Sequence, residues 1–297
     1  MLLRQLFAAL VTVALWLPLA AQAPADYFFI QLTDPQFGAS NGDRDFVQET
    51  ANYEFAVANV NRLHPKFVII CGDLINKTGD PAQAAEYHRI TAKIDPSIKV
   101  YAVPGNHDVG DEPTPESLAW YREHFGKDYY SFREGGLFGI VLNSSMISAP
   151  GKVGGAAAEQ EAWLKSELRA AKASGAQHVV IFQHHSWFLE KADEPAQYFN
   201  IPLEQRRRYL DLLKASGVKY VFAGHYHRNA YGKDGDLEMI TNGPVSRPLG
   251  DGVAGMRVVE VHAGRIEHHY YTMGEIPNQY PPAPPRERGA AKGAAKQ

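Results

Sequence analysis

Short polar clusters interrupt the apolar runs of this chain: Thr33-Asp34-Pro35-Gln36, Gly72-Asp73, Gly105-Asn106-His107-Asp108, His184-His185 and Gly224-His225-Tyr226-His227. Taken singly, each has an ordinary explanation as a turn, a helix cap or a satisfied polar residue. Taken together they supply carboxylates, an amide carbonyl and imidazoles, the mixture of oxygen and nitrogen donors that holds first-row divalent metals. Two cations about 3.5 to 4 Å apart can share one bridging carboxylate, hold a hydroxide between them and clamp the oxygens of a phosphoryl group during in-line displacement. Asp73 is the natural bridge. Metal binding also draws the pKa of bound water toward neutrality, so the nucleophile needs no separate strong base. The leaving alkoxide can take its proton from a histidine near the metals but not bound to them.

Each cluster follows an apolar run that reads as a strand. YFFIQL, a helix from Thr50 to Leu63, FVIICG, a helix near Pro81 to Ile94 and KVYAV form a βαβαβ pattern, hence a parallel sheet with covering helices. In such sheets the carboxyl ends of the strands converge on one edge, where ligands bind. The second half predicts a hairpin around Gly135-Gly136 and an amphipathic helix through EQEAWLKSELRAAKAS. It then predicts buried strands HVVIFQ and VKYVFAG, separated by the helix of EQRRRYLDLLKAS. LEMITNG, MRVVEVH and RIEHHYYT read as a β-meander. No internal repeat or long linker divides residues 26–279, which read as one domain.

The 297 residues are 45% hydrophobic, enough for a full-sized core. Thirty basic residues nearly balance 33 acidic ones, so no bulk attraction to nucleic acid or anionic lipid is implied and phosphate recognition must be local. Residues 1–25 place one arginine before a short apolar segment and then small residues, the pattern of a secretory signal peptide with cleavage after Ala23 or Ala25. Periplasmic or secreted location follows, or membrane anchoring if the leader stays uncleaved. Residues 280–297, rich in proline, alanine and lysine, read as a disordered tail. Cys71 is the only cysteine, which precludes an intrachain disulfide, and its setting in FVIICGD makes it a buried strand residue rather than a nucleophile.

The ordered set of Asp-x-Gln, GD, GNHD, a strand-terminal histidine and GHxH resembles the calcineurin-like metallophosphoesterase superfamily. The resemblance implies a four-layer αββα sandwich and two divalent metal ions, Mn, Fe, Zn, Co or Mg. One metal would be held by Asp34, Gln36, Asp73 and His227. The other would take Asp73, Asn106, His184 and His225, leaving His107 to contact the phosphate and assist the leaving group. DPQFG, CGDLI, GNHDVGDEPTPES, DYYSF, VLNSS, FNIP and GHYHRNA are similar to one group within it, the calcineurin-like phosphoesterase domain-containing protein 1 group, described as complete serine/threonine-protein phosphatases. Two departures stand out. Gln36 occupies a place where histidine is usual, and Asn76 stands where many members carry an aspartate that orients the catalytic histidine. Asp108 could replace that aspartate if its loop folds back. Arg228 could fork onto the phosphate, and His185 is either a supporting or a structural residue.

The leading expectation is therefore an exported, dinuclear-metal phosphomonoesterase acting on phosphoprotein or a small phosphoester by attack of a metal-bridging hydroxide. The same metal core serves diesters, so a phosphodiesterase acting on nucleotides or glycerophosphodiesters is the alternative, and a non-enzymatic metal-binding module is a third reading. Tyr198 to Asn200 and Trp187-Phe188 either rim a pocket or pack a loop. No nucleic-acid partner is expected, nor a membrane span once the leader is removed; the oligomeric state is open.

Overall fold

The computed structural model describes residues 26–281; the predicted leader and the predicted tail beyond Pro281 lie outside them. The first half forms β1 (Tyr27–Leu32), α1 (Val47–Leu63), β2 (Phe67–Cys71), α2 (Pro81–Thr91), β3 (Lys99–Val103), α3 (Asn106–Val109) and α4 (Pro115–His124). There follow β4 (Tyr130–Glu134), β5 (Leu137–Val141), α5 (Ser144–Ser148), α6 (Gly154–Ala173), β6 (His178–Phe182) and α7 (Leu203–Ala215). The chain finishes with β7 (Tyr220–Ala223), β8 (Ala230–Asp234), β9 (Leu237–Thr241), β10 (Gly255–Val261) and β11 (Ile266–Thr272).

These strands make two mixed sheets, in the orders β11-β10-β1-β2-β3 and β4-β5-β6-β7-β9-β8. The period-2 alternation of the strands decides which side chains face where. In β1 and β2, Ile30, Leu32, Val68 and Ile70 pack under α1 and α2. Their neighbours Phe29, Phe67, Ile69 and Cys71 face the other sheet. In β6 and β7, Ile181 and Val221 pack under α6 and α7, whereas Val180, Phe182 and Phe222 point back toward the first sheet. Strands buried on both faces carry continuous apolar runs, which is why the strand patterns were legible. The result is helix, sheet, sheet, helix. Its centre is an aromatic stack in which Phe29 lies 4.5 Å from Phe67 and meets Phe182 and Phe222 edge-on. Cys71 is fully buried in this layer, and burial pushes its thiol up, away from nucleophilic use.

The predicted three-strand meander is a correction. β9 runs parallel to β7 and forms a hairpin with β8 through Gly235, whereas β10 lies antiparallel to β1 in the other sheet. The connection between β9 and β10 crosses from one sheet to the other: Asn242 N donates to Ala223 O at 2.9 Å, and Val245 N donates to Thr33 O at 2.8 Å. Tyr280, at the predicted start of the tail, packs its ring 4.7 Å from that of Phe28. Among the described residues no helix is long and apolar enough to cross a membrane.

Candidate metal centre

The polar clusters lie at the carboxyl ends of β1, β2, β3, β6 and β7, on the edge where the two sheets meet. Beyond the strand ends, the loops after β1 and β2 remain paired. Asp34 N donates to Gly72 O at 3.1 Å, Gln36 N to Asp73 O at 2.8 Å and Asn76 N to Phe37 O at 3.1 Å. To aim their side chains at one point, Asp34, Gln36, Asp73, His225 and His227 all adopt positive φ, between 40° and 68°. L-residues enter that region at a cost of about 1–3 kcal/mol each, so the surrounding pairing must hold them there. The glycines of the motifs make room for the same convergence. A Cβ on Gly72 would sit 2.3 Å from His184 Nδ1, and one on Gly105 would sit 2.1 Å from Asp73 Oδ1.

Asp34, Asp73 and His227 bring one donor atom each within 4.8 Å of one another, and so do Asp73, His184 and His225. Asp73 belongs to both groups. Each imidazole is oriented by a main-chain carbonyl, which can only accept a hydrogen bond and so fixes the proton on the ring nitrogen facing it. His184 Nδ1 donates to Cys71 O at 2.9 Å, His225 Nε2 to Tyr198 O at 3.0 Å and His227 Nδ1 to Arg247 O. The opposite nitrogens are left with lone pairs. His184 Nε2 faces Asp73 Oδ2 at 3.2 Å and Asn106 Oδ1 at 3.0 Å, and His227 Nε2 faces Asp34 Oδ1 at 3.3 Å. Acceptors converging in this way need a proton or a cation between them. Asn106 is oriented by its amide nitrogen, which donates to Asp111 Oδ1 at 2.7 Å and to the Tyr198 hydroxyl at 3.1 Å.

The electrostatics carry the same signature. Burial opposes charge on Asp73, yet the imidazoles of His184 and His107 hold its carboxyl far below the usual range. Burial alone would drive His184 down, but Asp73 and Asp34 hold it up at about 9. Burial and the neighbouring His184 push His225 down to about 4. Perturbations of this size, set by burial and specific partners, mark functional sites.

The donor set fits divalent metals. The sharpest sign is Gln36: its Nε2 donates to Asn76 Oδ1 at 3.1 Å, while its Oε1 is buried with no hydrogen-bond partner among the described residues. A buried carbonyl oxygen left unpaired is costly unless something electropositive meets it. Structure therefore brings Asp34, Gln36, Asp73, Asn106, His184, His225 and His227 to one place, with His107 beside them: its main-chain N donates to Asp73 Oδ1 at 2.9 Å.

Two expectations change. Asp108 does not fold back onto His107; its carboxylate accepts from Gly105 N at 2.7 Å and Ile75 N at 3.1 Å, closing the short α3 turn. The imidazole Nδ1 of His107 instead donates to the main-chain oxygen of Asn76. Arg228 lies over the Tyr226 ring at 4.2 Å and faces Asp251 at 3.6 Å, so its charge is directed to those neighbours. His185 is a supporting residue: Ser144 Oγ accepts from the main-chain N of His184 and His185, which leaves its proton for His185 Nδ1 at 3.0 Å. Trp187 and Phe188 are core residues, whereas Tyr198 is 57% exposed and borders Asn106 and His225. Sequence reasoning missed Asp111, Arg247 and the orienting role of Tyr198; Asp111 lies within the GNHDVGD stretch, but main-chain acceptors leave no residue-type signal.

Fold and site together define a metal-dependent phosphoester hydrolase. Residues 29–229 match the family model described as calcineurin-like phosphoesterase, and the chain belongs to that family. Among curated proteins it is 38% identical over 265 residues to serine/threonine-protein phosphatase CPPED1 of Bos taurus, covering 84% of this chain and 85% of the relative. The protein of that name from Danio rerio is 34% identical, with 84% and 86% covered. Among solved structures, purple acid phosphatase PPD1 from yellow lupin (Lupinus luteus) matches with a TM-score of 0.66 at 13% identity, over 86% of this chain and 52% of that one. A dimetal phosphatase from Danio rerio matches with a TM-score of 0.57 at 17% identity, over 84% and 99%. These structural likenesses speak to the fold, and they agree with the αββα arrangement of two mixed sheets.

Proposed function

We propose that this hydrolase acts on phosphomonoesters, with phosphorylated serine or threonine side chains as the substrate class and two divalent cations as cofactors. The observation that carries the reading is the sharing of Asp73 between two donor groups, with His107 beside them through its main-chain N and its imidazole held by the Asn76 carbonyl. Asp34, Gln36, Asp73 and His227 would hold one cation, and Asp73, Asn106, His184 and His225 the other. When bound, the cations supply Lewis-acid neutralisation of phosphoryl oxygens and a water acidified toward neutrality.

The chain's own residues do the rest. His107 Nδ1 donates a hydrogen bond to the Asn76 carbonyl and keeps its proton there, so only the imidazolium form carries a transferable proton at Nε2. Burial pulls His107 down, but Asp73 and the Asn76 carbonyl outweigh it and raise the group, which favours that form. The leaving serine or threonine oxygen would take the Nε2 proton. Asp108 and Ser144 fix the loops that carry His107, His184 and His185. The name of the relatives supports the serine/threonine substrate class.

The test is phosphate release from phosphoserine peptides and p-nitrophenyl phosphate with manganese or iron(II), compared with bis-p-nitrophenyl phosphate. Monoester turnover that exceeds diester turnover and disappears in Asp73→Asn is expected; a preference for the diester would overturn the substrate class. We also propose export, supported by the composition of residues 1–25. Cell fractionation with mass spectrometry of the amino terminus should find the protein outside the cytoplasm with residue 24 or 26 first; protein confined to the cytoplasm with Met1 intact would contradict export.

A further inference from the structure

We infer that Asn76 and Asp43 are positioning residues that decide which end of the Gln36 amide faces the metals, and so set the affinity of one of the two positions. This rests on the reading that Gln36 meets a cation. An amide has an oxygen end and a nitrogen end of nearly the same shape, and a glutamine at a metal position is useful only if the oxygen points inward.

A chain of hydrogen bonds fixes that choice. Asp43 Oδ1 is a carboxylate oxygen and accepts from Asn76 Nδ2 at 2.8 Å and from Gln83 Nε2 at 2.8 Å. Because Asn76 must present its NH2 to Asp43, its Oδ1 faces Gln36. Because Asn76 presents an oxygen, Gln36 must present Nε2, at 3.1 Å. Gln36 Oε1 is then turned the other way, into the position where it is buried and unpartnered among the described residues. Gln83 secures the chain from the far side, its Oε1 accepting from the main-chain N of Asn76 and of Lys77, both at 2.9 Å.

This explains the residue type at position 76. The main-chain oxygen of Asn76 already holds His107, at 2.6 Å, which releases the side chain for another task. A carboxylate at 76 would set a second negative charge against Asp43 at hydrogen-bond distance, an arrangement without a proton to share. The glutamine at 36 and the asparagine at 76 are therefore one device rather than two unrelated departures.

The test is calorimetry of manganese(II) binding to chelated protein, in a cycle of Asn76→Ala with Gln36→Glu. Asn76→Ala should weaken one position by about 10- to 100-fold, the usual effect of removing a group that orients a ligand, and leave the other unchanged. In the Gln36→Glu background the same change should alter affinity less than about threefold, because a carboxylate has an oxygen at either end. Equal losses in both backgrounds, or loss at both positions, would show that Asn76 merely holds the loop. If Gln36→Ala leaves both affinities intact, the assignment of Gln36 to a metal fails first, and the two failures are told apart. Should Asn76→Ala not fold, Asp43→Asn tests the same chain: it should weaken the same single position, and unchanged binding would overturn the inference.

Discussion

The imidazole Nδ1 of His107 lies 2.6 Å from the main-chain carbonyl oxygen of Asn76. A main-chain partner orients the ring and fixes its tautomer, but contributes no full charge to stabilise an imidazolium. That stabilisation must come from Asp73. Replacing His107 with asparagine should therefore lower kcat by about 10²–10⁴-fold, the usual worth of a positioned acid or base. The alkaline limb of the kcat profile should vanish with it, because the imidazolium is lost as pH rises through its pKa. Metal content measured on the same preparation should not change; retention of the limb in His107→Asn would assign it to another group.

The sharing of Asp73 gives an asymmetric outcome for metal content. Asp73→Asn should empty both positions, since both donor groups include that carboxylate. His227→Ala should empty only the position that contains Asp34, because His227 belongs to one group alone. Plasma emission analysis after gel filtration checks this, and equal losses in the two variants would contradict a shared bridge.

Gly105→Ala should damage stability and metal binding together. Its Cβ would lie 2.1 Å from Asp73 Oδ1 and 2.2 Å from Asp73 N, against main chain that cannot swing aside. Overpacking of this kind costs about 1–3 kcal/mol, and here the strain falls on the shared carboxylate. A lowered Tm with reduced manganese affinity is expected; an unchanged Tm and affinity would mean that the close approach is not maintained in solution.

Metal-free protein should lose stability as pH rises. His184 stands at about 9 when folded, above its ordinary value of 6.5, so its protonated form stabilises the fold. By linkage that contribution is fully present below about pH 6.5 and is lost as pH rises toward 9, a change of a few kcal/mol at roughly 1.4 kcal/mol per unit. Metal-loaded protein should show the opposite trend over the same window, since a cation competes with the proton for Nε2. Thermal melts with and without chelator measure it, and parallel curves would show that His184 does not change partner.

The two-sheet scaffold was legible because its strands are buried on both faces and therefore apolar throughout, as in FVIIC and YVFA. The strand-terminal donors were legible because the fold gathers strand ends, so Asp34, Asp73, His184 and His225 needed no distance information. Helix α4 was missed although Thr114 and Pro115 announce its start, with the Thr114 side chain accepting from Ser117 N. The meander was misread because LEMIT and MRVVEV have the same alternation, and only the crossing at Asn242 to Val245 shows that they serve different sheets. The role given to Asp108 failed for another reason: a carboxylate beside a histidine in sequence was closing a turn, while a carbonyl from a distant loop took its place. Main-chain acceptors such as those of Cys71, Asn76, Tyr198 and Arg247 are identical at every residue, so no pattern of side chains announces them.

The groups that meet around Asp73 come from opposite layers and from distant parts of the chain: His184 and the Cys71 carbonyl that orients it are 113 positions apart, and Asp34 and His225 are 191 apart. Contacts of such long range carry the loop-closure entropy of the intervening chain, so the site exists only where the two sheets have come together. A cation that binds there would favour the folded chain over the unfolded one, in which these donors are far apart.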